Sequence, residues 1–293
     1  MIFDMKKCTL CPRECKKNRT KETGYCGEGA EMRIAKIMLH KWEEPCISGS
    51  DSDRGSGAIF FSGCPMHCVY CQNRDISSGG TGKLYSPEEL AAAMKELENA
   101  GAYNINFVTP THFIHRIIEA LDHYRPAIPT VFNTSGYEKA DTVEALRGYA
   151  DIFLADLKYG DGELAGTYSK APDYLPVTLK AIEKMIDITG PHRFSPDGIM
   201  EKGVIVRHLV LPGGRHDSVN ALKALKEAVG TENILLSLMS QYTPDFAPKD
   251  CKPLTRRVTS FEYEFVRDAA LEMGFDGFGQ DKNSATSAYT PEF

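Results

Sequence analysis

The sequence predicts an α/β fold built on a parallel sheet. From Gly55 onward, short apolar runs of strand length alternate with longer amphipathic stretches, six of each. Right-handed crossovers lay the strands of such an alternation parallel to one another. The 293 residues, 42 % hydrophobic and 25 % charged, suffice for one large domain with an appendage. Periodicity alone leaves an open barrel and a doubly wound sheet as alternatives.

The expected strands are 58–61, 104–108, 130–133, 152–157, 204–211 and 234–239. The first helix, about 86–100, carries strong boundary signals: Ser86 as N-cap, Pro87 in the first turn, Glu89 at the capping-box position and Gly101 at the end. Further helices are expected at 112–124, at 141–149 capped by Asp141, and at 177–189 ending at Gly190. One at 219–229, capped by Asp217 or Ser218, and one at 261–273 complete the set. Residues 244–253 are proline-rich, and the tail 279–293 is polar and expected to be extended.

At the end of the first strand lies Gly63-Cys64-Pro65-Met66-His67-Cys68-Val69-Tyr70-Cys71-Gln72-Asn73. Three thiols spaced C-x3-C-x2-C are too crowded and too few to pair as disulfides. They suit an iron–sulfur cubane, whose fourth iron then stays open to a cofactor or substrate. The loop leaves a strand's C-terminal end, where α/β folds place their chemistry.

This motif, with Tyr70 before its last cysteine, resembles the signature of the radical S-adenosylmethionine (SAM) superfamily. Its wider wording, Gly63-Cys64-Pro65 through Cys71-Gln72-Asn73, is similar to the pyruvate formate-lyase activating enzyme branch, most closely its PflX-like members. The resemblance implies an open (βα)6 partial TIM barrel and a [4Fe–4S] cluster on Cys64, Cys68 and Cys71. It further implies SAM on the fourth iron, cleaved reductively to a 5′-deoxyadenosyl radical that abstracts hydrogen. Tyr70 and Asn73 flank that site.

SAM contacts are then expected at the strand ends. The family's Gly-Gly-Glu is absent after the second strand, where Thr109 and Thr111 supply oxygens instead. Asn133-Thr134-Ser135-Gly136 is similar to the activating enzymes' Asp-Thr-Asn-Gly, and Asp156-Leu157-Lys158 to their Asp-Leu-Lys. Asp156 and Lys158, two apart on a strand, point to one side and are the best polar SAM contacts. Arg207 stands where the family sets an arginine against the SAM carboxylate, a pairing its fork suits. His208 points to the opposite face. His112, Tyr137, Gln241 and Tyr242 are weaker candidates on the substrate side.

Residues 1–50 form a first segment with Cys8-x2-Cys11-x3-Cys15-x10-Cys26 and, further on, Cys46. Four cysteines among tight-turn glycines fit a second metal, zinc or another cluster; spacing does not separate the two. Cys46 is expected to be buried, and Cys251 to be a bystander rather than a radical relay. The core is expected at 51–245, with a C-terminal helix and tail at 246–293. Seven Lys and Arg in residues 1–25 face three acidic residues, either ordinary solvated charge or a docking face for a flavodoxin- or ferredoxin-like donor.

The formal charge of −6 gives no general case for nucleic acid or membranes. The start lacks a secretory signal's apolar core, and an odd number of clustered cysteines fits a reducing compartment, the cytoplasm. The leading function is a radical SAM enzyme acting on a small molecule or peptide. A glycyl-radical protein partner is the alternative substrate, and a non-catalytic electron-transfer or scaffold protein the alternative class.

Overall fold

The computed structural model describes residues 3–50 and 53–279. Among the described residues ten strands form in order: β1 Met32–His40, β2 Ser56–Phe61, β3 Lys83–Tyr85, β4 Ile105–Val108, β5 Thr130–Thr134, β6 Ile152–Asp156, β7 Arg193–Phe194, β8 Met200–Leu209, β9 Leu235–Met239 and β10 Gly277–Gly279. The helices are α1 Pro45–Ser48, α2 Arg74–Ser77, α3 Pro87–Asn99, α4 Ile114–His123, α5 Ala140–Glu144, α6 Gly162–Ser169, α7 Tyr174–Thr189, α8 Arg215–Val229 and α9 Ser260–Glu272.

The sheet runs β10-β9-β8-β6-β5-β4-β2-β1-β3, with β7 hairpinned onto β8. Its two ends do not pair, so the sheet is open. All six expected strands are present, and β2, β4, β5, β6, β8 and β9 are parallel neighbours in chain order.

Four strands, β1, β3, β7 and β10, fall outside the expected alternation. Strand β1, inside the cysteine-rich segment, pairs antiparallel with β2 and β3. Strand β10 adds parallel to β9 and takes up Gly279, the first residue of the expected tail; 280–293 lie outside the described residues.

Side chains alternate between the faces as the pleat requires. On β6, Phe153 and Ala155 join the large core beneath the helices, while Ile152 and Leu154 join a second cluster with Val131, Ile205 and Leu235 on the other face. Short α1 brings Cys46 and Ile47 into that second cluster, so Cys46 is buried as expected.

The α3 capping box forms as read: Glu89 N–H donates to Ser86 Oγ at 3.2 Å, and Ser86 N–H to Glu89 Oε2 at 2.7 Å. Two other starts differ. Lys139 holds the N-cap of α5, so Asp141 lies within its first turn. Helix α8 begins after Gly214, and Asp217 Oδ1 instead accepts Gly160 N–H at 3.0 Å, tying the helix to the β6–α6 loop. Helix α6 was not anticipated, although Asp161 caps it through Glu163 N–H and Leu164 N–H. Among the described residues no helix is long and apolar enough to cross a membrane.

Candidate functional site

In-register rows bring the strand ends together. Phe60, Val108 and Asn133 are successive partners across β2, β4 and β5, and Asp156, Arg207 and Ser237 across β6, β8 and β9. All six line one cavity of about 640 Å³. Cys64, Cys68, Cys71, Tyr70 and Asn73 of the cysteine loop form another part of its wall, with Thr109, Ser135, Lys158, Gln241 and Tyr242.

The cysteine loop is held from several sides. Gly63 sits at φ +82°, and a Cβ there would meet Cys26 O at 2.6 Å, so only glycine allows the turn. Cys64 N–H donates to Cys26 O at 3.1 Å, and Val69 N–H to Tyr168 O at 2.9 Å. Arg13 donates to Pro65 O and Ser169 O, both at 2.8 Å. Ser169 Oγ lies 3.0 Å from Cys68 Sγ and 2.6 Å from Tyr159 Oη, which contacts Tyr70 Oη at 2.7 Å. The N-terminal segment is therefore a buttress of the loop, a role its basic composition did not announce.

Burial, reinforced by the neighbouring thiols, raises the Cys64 thiol far above its ordinary range. Burial, then Cys68, pushes Cys71 up to about 11. Thiols so placed become ligands when a metal's positive charge compensates the thiolate. Among the described residues no group of three or more His, Cys, Asp or Glu side chains is arranged to hold a metal ion. Three thiols on the wall of a roomy cavity are the donor number that a cubane with one open iron takes. The buried Ser135 Oγ, without a partner among the described residues, leaves a polar position for a ligand. The residues present thus fit a cluster with a polar cofactor beside it.

Asp156 and Lys158 face the cavity as a pair, Nζ to Oδ2 2.5 Å. Burial works against the Lys158 charge, but Asp156 together with Cys68 and Tyr174 outweighs it and holds the ammonium well above its ordinary value.

Arg207 also lines the cavity, with its fork already engaged. Nε donates to Glu44 Oε1 at 2.8 Å, Nη2 to Glu44 Oε2 at 2.5 Å, and Nη2 also to Glu43. Glu43 Oε1 in turn accepts from Asn106 and Asn133 at 3.2 and 3.4 Å. Burial opposes ionisation of Glu44, yet the Arg207 charge and hydrogen bonds keep its carboxyl below the ordinary range. The sequence reading missed Glu43 and Glu44 because they belong to no strand end. They enter from the β1–α1 connection.

Two expected contacts fall outside the wall. Thr111 is buried and donates to Glu138 Oε1 at 2.6 Å. Thr134 Oγ1 accepts Gly136 N–H at 3.1 Å. The Thr134 hydroxyl is spent on its own loop, and that of Thr111 on Glu138 in the β5–α5 connection. His112 and His208 are buried and donate to Ser62 O and Leu157 O, both at 2.6 Å; His208 leaves the lumen face, as the pleat predicts. Tyr137 donates to Asp173 at 2.6 Å. Cys251 neighbours Tyr168 and does not line the cavity. Cys8, Cys11 and Cys26 are buried and Cys15 half-buried, on the far side of the Cys26–Cys64 backbone contact.

Fold and site together define an α/β protein that works at the C-terminal mouth of an open parallel sheet, with a three-cysteine loop over the cavity. Residues 58–231 match the Radical SAM superfamily, and the chain belongs to it. It is 29 % identical over 286 residues to an uncharacterized protein of Methanocaldococcus jannaschii, covering 92 % of this chain and 76 % of that one. In structure it resembles a radical SAM methyltransferase from Sphaerobacter thermophilus (TM-score 0.53, 13 % identity, 77 % of this chain and 66 % of that one). It also resembles Streptococcus suis SuiB bound to S-adenosylmethionine (TM-score 0.50, 11 % identity, 78 % and 51 %). The chain thus spans between half and two thirds of those two structures, and at such identities the likeness is one of fold.

Proposed function

We propose that this protein is a radical SAM enzyme whose substrate is a small molecule or peptide. The observation that carries the reading is the meeting of Cys64, Cys68 and Cys71 with Asp156 and Lys158 around one cavity. When bound, a reduced [4Fe–4S] cluster supplies the electron that cleaves SAM to methionine and a 5′-deoxyadenosyl radical able to abstract hydrogen.

The chain's own residues bind and orient. The three cysteines hold the cluster, and the Arg13 and Cys26 contacts fix their loop. Lys158 and Ser135 offer donors to the carboxylate and ribose of SAM, while Asp156 keeps the ammonium charged and aimed. The apolar wall, Phe60, Met66, Leu209 and Met239, limits water near a reactive species. The electron comes from a flavodoxin- or ferredoxin-class donor, and the setting is the cytoplasm, where nine unpaired cysteines stay reduced.

The test is anaerobic incubation of the reconstituted, dithionite-reduced protein with SAM, followed by assay for 5′-deoxyadenosine. Product in the wild type and none in C64A/C68A/C71A is expected. Retained cleavage in that variant, or neither cleavage nor SAM binding by wild type with an intact cluster, would overturn the reading. The latter would leave a scaffold or electron-transfer protein.

A further inference from the structure

Three buried hydroxyls stand in series behind one of the barrel cysteines. Ser169 Oγ lies 3.0 Å from Cys68 Sγ, Tyr159 Oη 2.6 Å from Ser169 Oγ, and Tyr70 Oη 2.7 Å from Tyr159 Oη. Ser169 and Tyr159 are fully buried and Tyr70 nearly so, which keeps water away from these contacts.

Hydrogen counting gives the chain a direction. Each hydroxyl owns one hydrogen, and a phenol keeps its own at neutral pH. A thiolate ligand has none, so at Cys68 the sulfur accepts and Ser169 donates. Ser169 has then spent its hydrogen, and Tyr159 must donate to it. Tyr159 has spent its own in turn, and Tyr70 must donate to Tyr159. No other arrangement fills all three contacts. The three O–H dipoles therefore point toward one sulfur, and each strengthens the next.

The fold fixes the donor from both sides. Ser169 is the last residue of α6, and Lys170 ends that helix in the left-handed region at φ +52°. Val69 N–H donates to Tyr168 O at 2.9 Å, and Arg13 bridges Pro65 O and Ser169 O, both at 2.8 Å. The end of α6 and the cysteine loop are thus latched together around Ser169. Tyr159 is set by the rings of Tyr174 and Tyr168, at 5.4 and 6.4 Å, and by its neighbour Gly160, whose N–H donates to Asp217 of α8. The other two sulfurs are served more simply. Cys64 Sγ accepts Met66 N–H at 3.4 Å, and Cys71 faces the half-buried Ser77.

We propose that Ser169 tunes the cluster through Cys68: it donates to the thiolate, Tyr159 and Tyr70 donate in series behind it, and the relay raises the cluster's reduction potential. Reduction adds negative charge to a cluster and its sulfurs, and an O–H dipole aimed at a sulfur stabilises that added charge. The inference rests on the [4Fe–4S] part of the proposed function and not on SAM chemistry.

The test is an EPR-monitored redox titration of anaerobically reconstituted full-length protein without SAM, following the signal that C64A/C68A/C71A loses. Ser169→Ala should hold as much iron as wild type. It should shift the one-electron equilibrium roughly tenfold toward the oxidised cluster, a midpoint about 59 mV more negative. Tyr159→Phe leaves the serine donor in place and should shift the midpoint the same way by less. An unmoved or more positive midpoint in Ser169→Ala at wild-type iron content would overturn the proposal, since a purely structural hydroxyl changes stability and not potential. Should Ser169→Ala fail to hold iron, Tyr159→Phe decides: a more negative midpoint supports the relay, and an unmoved one overturns it. A wild type with no signal that depends on the three cysteines would instead overturn the proposed function on which the relay rests.

Discussion

Arg207 and Glu44, 163 residues apart in sequence, meet in the lumen as a two-point ion pair, Nε to Oε1 2.8 Å and Nη2 to Oε2 2.5 Å. The contact fastens the β1–α1 connection beneath the cavity and engages both edges of the Arg207 fork. Arg207→Met leaves both Glu43 and Glu44 buried without their cation and should cost about 3–5 kcal/mol. Glu44→Gln should cost less, about 1–3 kcal/mol, because Glu43 still faces the guanidinium. Denaturant unfolding of wild type and both variants checks this; equal losses in the two variants would show that Glu43 does not share the pair.

Lys158 is placed to meet a carboxylate or ribose in the cavity. Lys158→Met should weaken SAM binding roughly ten- to a hundredfold, the range of a charge-assisted hydrogen bond. Iron content should be unchanged. Equilibrium dialysis with SAM and an iron assay read the two separately, and unchanged affinity would remove Lys158 from the site.

Thr111 carries a different expectation, since its hydroxyl serves Glu138 rather than the cavity. Thr111→Val should lower stability by about 1–3 kcal/mol through loss of the hydrogen bond to a buried carboxyl. SAM affinity should stay as in wild type. A variant of normal stability and impaired SAM binding would return Thr111 to the site.

Asp217 gives the fold a pH dependence. Burial raises its carboxyl from the ordinary 3.8 to about 6; the Gly160 N–H works against that rise and Asp161 adds to it. Between those values the native protein holds the proton more tightly than the unfolded chain does. Stability should therefore fall as pH rises from about 4 to about 6 and level off above. Asp217→Asn keeps the acceptor for Gly160 and removes the titration. Thermal unfolding of both proteins across pH 4–7 should show the variant gaining on wild type as pH rises; parallel curves would contradict the assignment.

The parallel core was legible because β2, β4, β5, β6, β8 and β9 are each short, apolar and bounded by turn signals. Strand β1 was passed over because four cysteines dominated the reading of its segment, although Met32, Ile34, Met38 and their polar neighbours suit a strand. Helix α6 is short and weakly amphipathic, and only its Asp161 cap marked it. Asp217 read as a helix cap by residue type, but helix starts depend on where the preceding loop must go, and Gly160 claimed its carboxylate.

What the sequence by itself determined is a candidate ligand set and the scaffold type. The C-x3-C-x2-C spacing is a local property of one loop, and strand alternation puts Asp156 and Lys158 on one face and His208 opposite Arg207; the β6–β8 register then sets Asp156 beside Arg207. Tertiary structure decided which of those groups are free to act. Thr134 found a partner in its own loop, Thr111 found Glu138 on the next one, and Arg207 found Glu43 and Glu44. Partner choice across such a separation is set by how the β1–α1 connection packs into the open sheet, and no local pattern encodes it. The same packing joined Cys26 to Cys64, making the N-terminal segment part of the site it had seemed only to precede.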